Sequence, residues 1–205
     1  MTAVDTPFPP PPWRSTGTLW AALLTTCRPL PLPPALRPLG SPQRLVMLLI
    51  RYRHGTLRYD EFALASPARS GVRAGLFTHH IWVDTPASLS GGRQIWGVSK
   101  ELAHFAWSRH SLLVSDDDGP IAGLRFGPRG PRLPTLPALG PAFGQRDGRL
   151  LHFTSRLTGR IARHPLHITT WAPRLPRLDA PPRQALTVDP CHMTVPAPGH
   201  RRRCQ

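Results

Sequence analysis

Alternating apolar and polar positions divide this chain into short extended segments. Residues 43–52, QRLVMLLIRY, read as a buried strand bounded by Pro42 and a His54-Gly55 turn. Residues 57–65, LRYDEFALA, predict a second strand. Its alternation puts Tyr59, Glu61 and Ala63 on one face and Arg58, Asp60, Phe62 and Leu64 on the other. Residues 72–84 predict a third strand, ending at the turn-prone Asp84-Thr85-Pro86. Residues 111–126, SLLVSDDDGPIAGLRF, read as two short strands around an Asp-Gly turn, with Asp116, Asp117 and Asp118 as turn residues rather than metal ligands. Residues 149–171 supply later strand candidates.

Proline changes the picture between these strands. The chain has 27 prolines in 205 residues, clustered as FPPPPW at 8–13, PLPLPP at 29–34 and PRGPRLPTLPALGP at 128–141. A residue with fixed φ and no amide donor favours extended connections over helices. Residues 1–42 are therefore expected to be a mostly extended arm with one apolar piece at 18–26. Residues 127–147 are expected to form a looping insertion, and the tail from about 189 to be loose. No repeat or linker splits the chain, so a single β-rich domain over residues 1–205 is predicted.

Charge and cysteine content narrow the function classes. The formal net charge is +15, but the arginines are spread along the chain apart from RRR at 201–203. Phe62, Phe77, Phe105 and Phe126 stand singly, without the glycine-aromatic signature of an RNA-binding strand. A solvated, arginine-biased surface is the simpler reading, and a nucleic-acid partner ranks last. Cys27, Cys191 and Cys204 are odd in number and far apart, without a C-x-x-C pair, and the paired histidines His79-His80 and His164–His167 lack companions at ligand spacing. No metal and no cofactor is expected. The apolar runs LWAALL and LVMLLI are too short to cross a bilayer, and no signal segment stands out at the N-terminus. A cytoplasmic protein without a membrane partner is the expectation.

The candidate chemistry lies in residues 91–107, GGRQIWGVSKELAHFAW. Lys100 is the only lysine among 26 basic residues, and Glu101 and Glu61 are the only glutamates. A coding bias toward arginine accounts for the loss of lysine from solvated surfaces. It does not account for a lysine whose amine must shed its proton, because arginine stays charged at any working pH. Lys100 thus has two readings, chance survivor or nucleophile.

Its neighbours favour the nucleophile. The segments RYDEFALA at 58–65 and IWVDTPASLSGGRQIWGVSKELAHF at 81–105 resemble the acetoacetate decarboxylase family. PPPPW near the start and the Trp171-x-Pro173 segment also fit, and the resemblance extends over residues 8–185. Glu61 falls on the family's glutamate, Gly92-Arg93 on its G-R, and Lys100 on its Schiff-base lysine. There are departures. Glu101 stands where the decarboxylases have a second lysine, Ser99 where the family usually has proline, and Thr18 where an N-terminal arginine is expected. This chain is similar to the shorter, divergent members.

The resemblance implies a closed β-barrel with a few short helices, a homo-oligomer, and a small keto acid or other carbonyl substrate. An amine that attacks a ketone forms an iminium, which accepts electrons from a bond breaking at the neighbouring carbon. Decarboxylation leads slightly over aldolase or dehydratase chemistry. A non-catalytic binding barrel is the rival from another class. Lys100 is the expected nucleophile and Glu61 the assisting acid or base, unless Glu61 merely pairs with Arg58 or Arg93. Arg93 and Trp96 are candidates on the substrate side, with loop bracing and wall packing as their local alternatives. A lysine amine at its ordinary pKa of about 10.4 is nearly all ammonium at neutral pH, so an apolar wall is required, and Ile95, Trp96, Val98 and Phe105 are expected to supply it. Glu101, on the opposite face of an extended chain, is expected to be a surface or interface carboxylate paired with an arginine.

Overall fold

The computed structural model describes residues 6–135, 137–182 and 184–199. Arg201, Arg202, Arg203 and Cys204 lie outside the described residues.

Among the described residues, thirteen strands form two sheets. Seven of them close a barrel: β1 (Trp13–Thr25), β3 (Arg44–Gly55), β4 (Tyr59–Ser70), β5 (Arg73–Val83), β10 (Ala138–Arg146), β11 (Arg149–Arg163) and β13 (Gln184–Val195). Closure comes from the β4–β5 pairing at one seam and the parallel β10–β5 pairing at the other. The short β2 (Arg37–Pro38) extends β4. A second sheet, in the order β12-β9-β8-β7, uses β7 (His104–Trp107), β8 (Ser111–Asp116), β9 (Gly119–Phe126) and β12 (Leu166–Trp171).

The alternation read from sequence sorts side chains between these layers. Leu48, Ile50 and Tyr52 of β3 face the barrel lumen, whereas Leu45, Met47 and Leu49 face the second sheet. On β4, Tyr59, Glu61, Ala63 and Ala65 face the lumen, and Phe62 and Leu64 face outward. The outward set packs with Trp20, Leu24, Leu112, Val114, Ile121 and Leu124 into the largest core cluster. Burying one such side chain contributes about 1.5–3 kcal/mol. This apolar layer therefore fixes the register of β4, and with it the face that Glu61 presents.

Three proline-rich segments differ from expectation. The supposed arm contains β1, a 13-residue stave paired on both edges, with β3 and with β13. The supposed insertion contains β10, and the supposed loose tail contains most of β13. Proline is tolerated in each case for a local reason. Pro141 lies in β10, which meets β5 only at Ala142 and Phe143, so much of that edge needs no donor. Pro190 and Asp189 bulge from β13 opposite single residues of both β1 and β11.

Between β5 and β6 (Lys100–Leu102) the chain makes its one helical excursion among the described residues. Helix α1 (Pro86–Gly91) starts with proline in its first turn and widens into a π-helical turn, Gly92–Trp96. Gly97 ends it at φ 64°, in the left-handed region that favours glycine. Gly91-Gly92, which look like a flexible entry in the sequence, are buried inside this helix. β6 returns parallel to β5, with Lys100 beside Ile81.

Partly buried imidazoles are expected to make the fold acid-sensitive. Burial, reinforced by His80, lowers His79 from 6.5 to about 4, with its Nε2 2.9 Å from Ser66 Oγ. A depressed folded-state value means that the unfolded chain takes up the proton first. The contribution of His79 is thus complete above pH 6.5 and declines as pH falls toward 4. Because the ring is only half-buried, solvent screening reduces the loss to about 1 kcal/mol at pH 5. Burial shifts His80 and His164 the same way. Asp60 and Asp84 are raised by burial and oppose the trend at lower pH. The urea midpoint is expected to fall between pH 7 and pH 5, and less steeply in His79→Gln. Parallel slopes in the two proteins would contradict this.

Candidate active site

The lumen holds a cavity of about 420 Å³. Glu61 and Lys100 are the only charged side chains among the described residues lining it. Lys100 Nζ donates to Glu61 Oε2 at 2.7 Å and to Ser88 Oγ at 2.9 Å, and lies 5.0 Å from the centroid of the Tyr59 ring. Lys100 is 5 % exposed and Glu61 9 %.

Each member of this cluster is placed by a distinct local device. Glu61 comes from the lumen face of β4. Lys100 opens β6, whose alternation turns Lys100 inward and leaves Glu101 exposed. Ser88 comes from α1 and is fully buried. The Asp84 carboxylate accepts from the Asp60 amide at 2.9 Å, clamping the β5–α1 corner to β4. Gly92 makes room for the lysine stem: a Cβ there would stand 2.5 Å from Lys100 Cδ and 2.6 Å from Cε. The Arg93 Nε donates to the Lys100 carbonyl at 2.8 Å, which braces the start of β6.

The walls are aromatic at one end and aliphatic elsewhere. Trp96 is buried and lines the cavity, with its Nε1 donating to the Pro196 carbonyl at 2.7 Å and its ring edge-on to Trp13 at 4.7 Å. Val98 also lines the cavity. The other two expected wall residues lie elsewhere: Ile95 lines a separate outer groove, and Phe105 packs into the core beneath the second sheet. The Tyr52 and Tyr59 rings lie against each other, tilted by 33° with centroids 4.4 Å apart. Burial first raises both phenols well above 10.0; the next contribution is Tyr59 for Tyr52 and the charge of Glu61 for Tyr59. Both therefore remain neutral hydroxyl donors at physiological pH.

The structure brings Lys100, Glu61 and Trp96 to one lumen, whereas Arg93 lies behind it and is not among the lining residues. Neither Arg58 nor Arg93 pairs with Glu61; its ionic partner is Lys100. Glu101 forms no ion pair with an arginine among the described residues, and its charge acts instead on His80. Ser88 was not anticipated, because a serine in a six-residue helix carries no signal apart from its spatial neighbours. No group of three or more His, Cys, Asp or Glu among the described residues is arranged to hold a metal ion. Cys191 is buried beside the lumen residues, and burial pushes its thiol up to about 12, leaving it unreactive at neutral pH. No helix among the described residues is long and apolar enough to cross a membrane.

The sequence model of one family, acetoacetate decarboxylase (ADC), matches residues 7–143, a span that includes Glu61, Ser88 and Lys100. The chain belongs to the acetoacetate decarboxylase family. Several solved structures share its fold. An acetoacetate decarboxylase from Legionella pneumophila subsp. pneumophila str. Philadelphia 1 aligns with a TM-score of 0.71 at 19% identity, covering 95% of this chain and 90% of that one. The enduracididine biosynthesis enzyme MppR, solved with pyruvate, aligns with a TM-score of 0.67 at 12% identity, covering 95% and 92%. An acetoacetate decarboxylase-like enzyme from Sphingomonas wittichii RW1 aligns with a TM-score of 0.60 at 14% identity, covering 91% of each. A comparison with the curated proteins gives no match.

Proposed function

We propose that this protein is a Schiff-base-forming enzyme of the acetoacetate decarboxylase type, acting on a small carbonyl compound through Lys100. The observation that carries the reading is the chain's single lysine, buried in the lumen with its amine 2.7 Å from Glu61 and 2.9 Å from Ser88. A merely structural cation would be served by arginine, which this sequence uses everywhere else.

The steps balance on these residues alone. The Lys100 ammonium passes a proton to the Glu61 carboxylate, leaving a neutral amine and a carboxylic acid. The nitrogen lone pair attacks the substrate carbonyl carbon, forming the C–N bond, and one nitrogen proton moves to the oxygen. Glu61 then protonates that hydroxyl, which leaves as water and yields the iminium with Glu61 again anionic. Ser88 keeps the amine aimed while the Glu61 contact is broken and remade. The aliphatic lumen excludes the bulk water that would hydrolyse the iminium early.

Incubation with a carbonyl compound and cyanoborohydride, followed by intact mass and peptide mapping, tests this. Only Lys100 and the amino terminus can form a reducible imine, so the adduct is assigned at once. The expected result is an adduct on Lys100 that disappears in Lys100→Arg while the far-ultraviolet circular dichroism is unchanged. A lumen that binds carbonyl compounds without any adduct on Lys100 would instead mark a non-catalytic binding barrel.

A further inference from the structure

Resting on that reading, we infer that the lumen selects an uncharged, apolar aliphatic ketone or aldehyde, and that keto acids are its poor ligands. The strand registers set an apolar ring at the level of the reacting pair. Ile50 lies opposite Glu61, Leu19 opposite Ile50, Val188 opposite Leu19, and Ile161 opposite Val188, while Ile81 lies beside Lys100. All five line the cavity. Further residues on its wall, among them Leu48, Ala63, Leu76, Leu157 and Leu186, are also aliphatic.

A carboxylate entering this space would need a cation, and the arginines near it are turned away. The lumen positions of β1 are Trp13, Leu19 and Ala21, none of them a cation. Thr18 faces outward, where its hydroxyl donates to Asp189 Oδ1 at 3.0 Å, and Arg129 pairs with the same carboxylate at 2.7 Å. Arg51 lies on the outer face, 3.7 Å from Asp60 and over the Trp107 ring. Arg93 is engaged with the Lys100 carbonyl. The lumen cation, Lys100, already faces Glu61. The other donors on the wall, the hydroxyls of Tyr52, Tyr59, Thr78 and Ser155, carry no charge, so a carboxylate placed there would be buried without a cation of its own and close to a second carboxylate, at a cost of several kcal/mol. A ketone carries one acceptor, which the Lys100 amine or a neutral phenol of Tyr52 or Tyr59 can meet, and its alkyl chain matches the walls.

The substrate class decides the reaction class. With no carboxylate there is no carbon dioxide to expel. The Glu61 carboxylate instead removes a proton from the carbon next to the iminium, and that C–H electron pair becomes the enamine double bond. The enamine carbon can then add to an aldehyde: the C–C bond forms, the iminium is restored, and the aldehyde oxygen takes the proton held by Glu61. Water then hydrolyses the iminium, freeing the hydroxyketone and the Lys100 amine, and the reverse sequence cleaves an aldol.

The test compares methyl hexyl ketone, acetoacetate and pyruvate at equal concentration, reading the rate of cyanoborohydride trapping on Lys100. The ketone is expected to label at least about tenfold faster than either acid. Acetoacetate or pyruvate labelling as fast as the ketone overturns the substrate class and leaves the imine reading standing. Absence of label from all three overturns the imine reading, and this inference with it.

Discussion

Replacing Lys100 with methionine is expected to destabilise the protein by about 3–5 kcal/mol, besides abolishing any imine on that residue. The reason is the carboxylate left behind. Glu61 keeps only 12 % of its side chain exposed and Lys100 only 7 %. Removing one partner of such a pair leaves the other charge buried and unpaired, which costs about that amount. Glu61→Leu is expected to cost a similar sum, since it strands the ammonium. The double variant Lys100→Met/Glu61→Leu places two apolar groups into an apolar lumen and is expected to be more stable than either single variant. Urea unfolding of all four proteins at pH 7 measures the coupling. Losses below about 1 kcal/mol in both single variants would show a solvated pair. A double variant less stable than the singles would show that the pair holds the barrel together on its own account. The expected pattern means that a costly pair is kept where leucine and methionine would fit, which is the signature of chemistry rather than of stability.

How much of this was legible beforehand depends on the physics behind each signal. Glu61 could be assigned to an apolar face because β4 alternates strictly, and the same alternation assigned Phe62 and Leu64 to the opposite layer. Lys100 stood out because composition made lysine rare. Its apolar wall was misread in part, since sequence proximity is a poor guide to a lumen lined by seven strands. Ile95 is five residues from Lys100 and faces elsewhere, while Leu19 and Val188 come from the distant β1 and β13. The staves β1, β10 and β13 were hidden by prolines, whose cost depends on whether a neighbouring strand needs that amide. Bulges and half-paired edges answer that question only in three dimensions.

The second large effect is expected outside the lumen, at Phe62→Ala. Phe62 is fully buried, with its ring stacked on Trp82 at 5.8 Å and edge-on to Trp171 at 6.5 Å. Truncating such a residue removes its transfer free energy and leaves a cavity between two rigid sheets, at a cost of about 3–5 kcal/mol. The matched control is Leu113→Ala on β8, where a side chain 39% exposed is expected to change stability by less than about 0.5 kcal/mol. Because Phe62 and Glu61 are adjacent on β4 and point to opposite layers, the substitution also tests how the site is held. Loosening the outer layer frees β4 to shift, and a misplacement of about 1 Å at a reacting pair is enough to cost two orders of magnitude in rate. Trapping on Lys100 in the folded variant is therefore expected to slow, although Phe62 does not touch the cavity. A stability loss under 1 kcal/mol would contradict the packing of the second sheet against the barrel. Full stability loss with unchanged trapping would show that β4 keeps its place through its ladders with β3 and β5, and that the outer layer supports the fold without tuning the site.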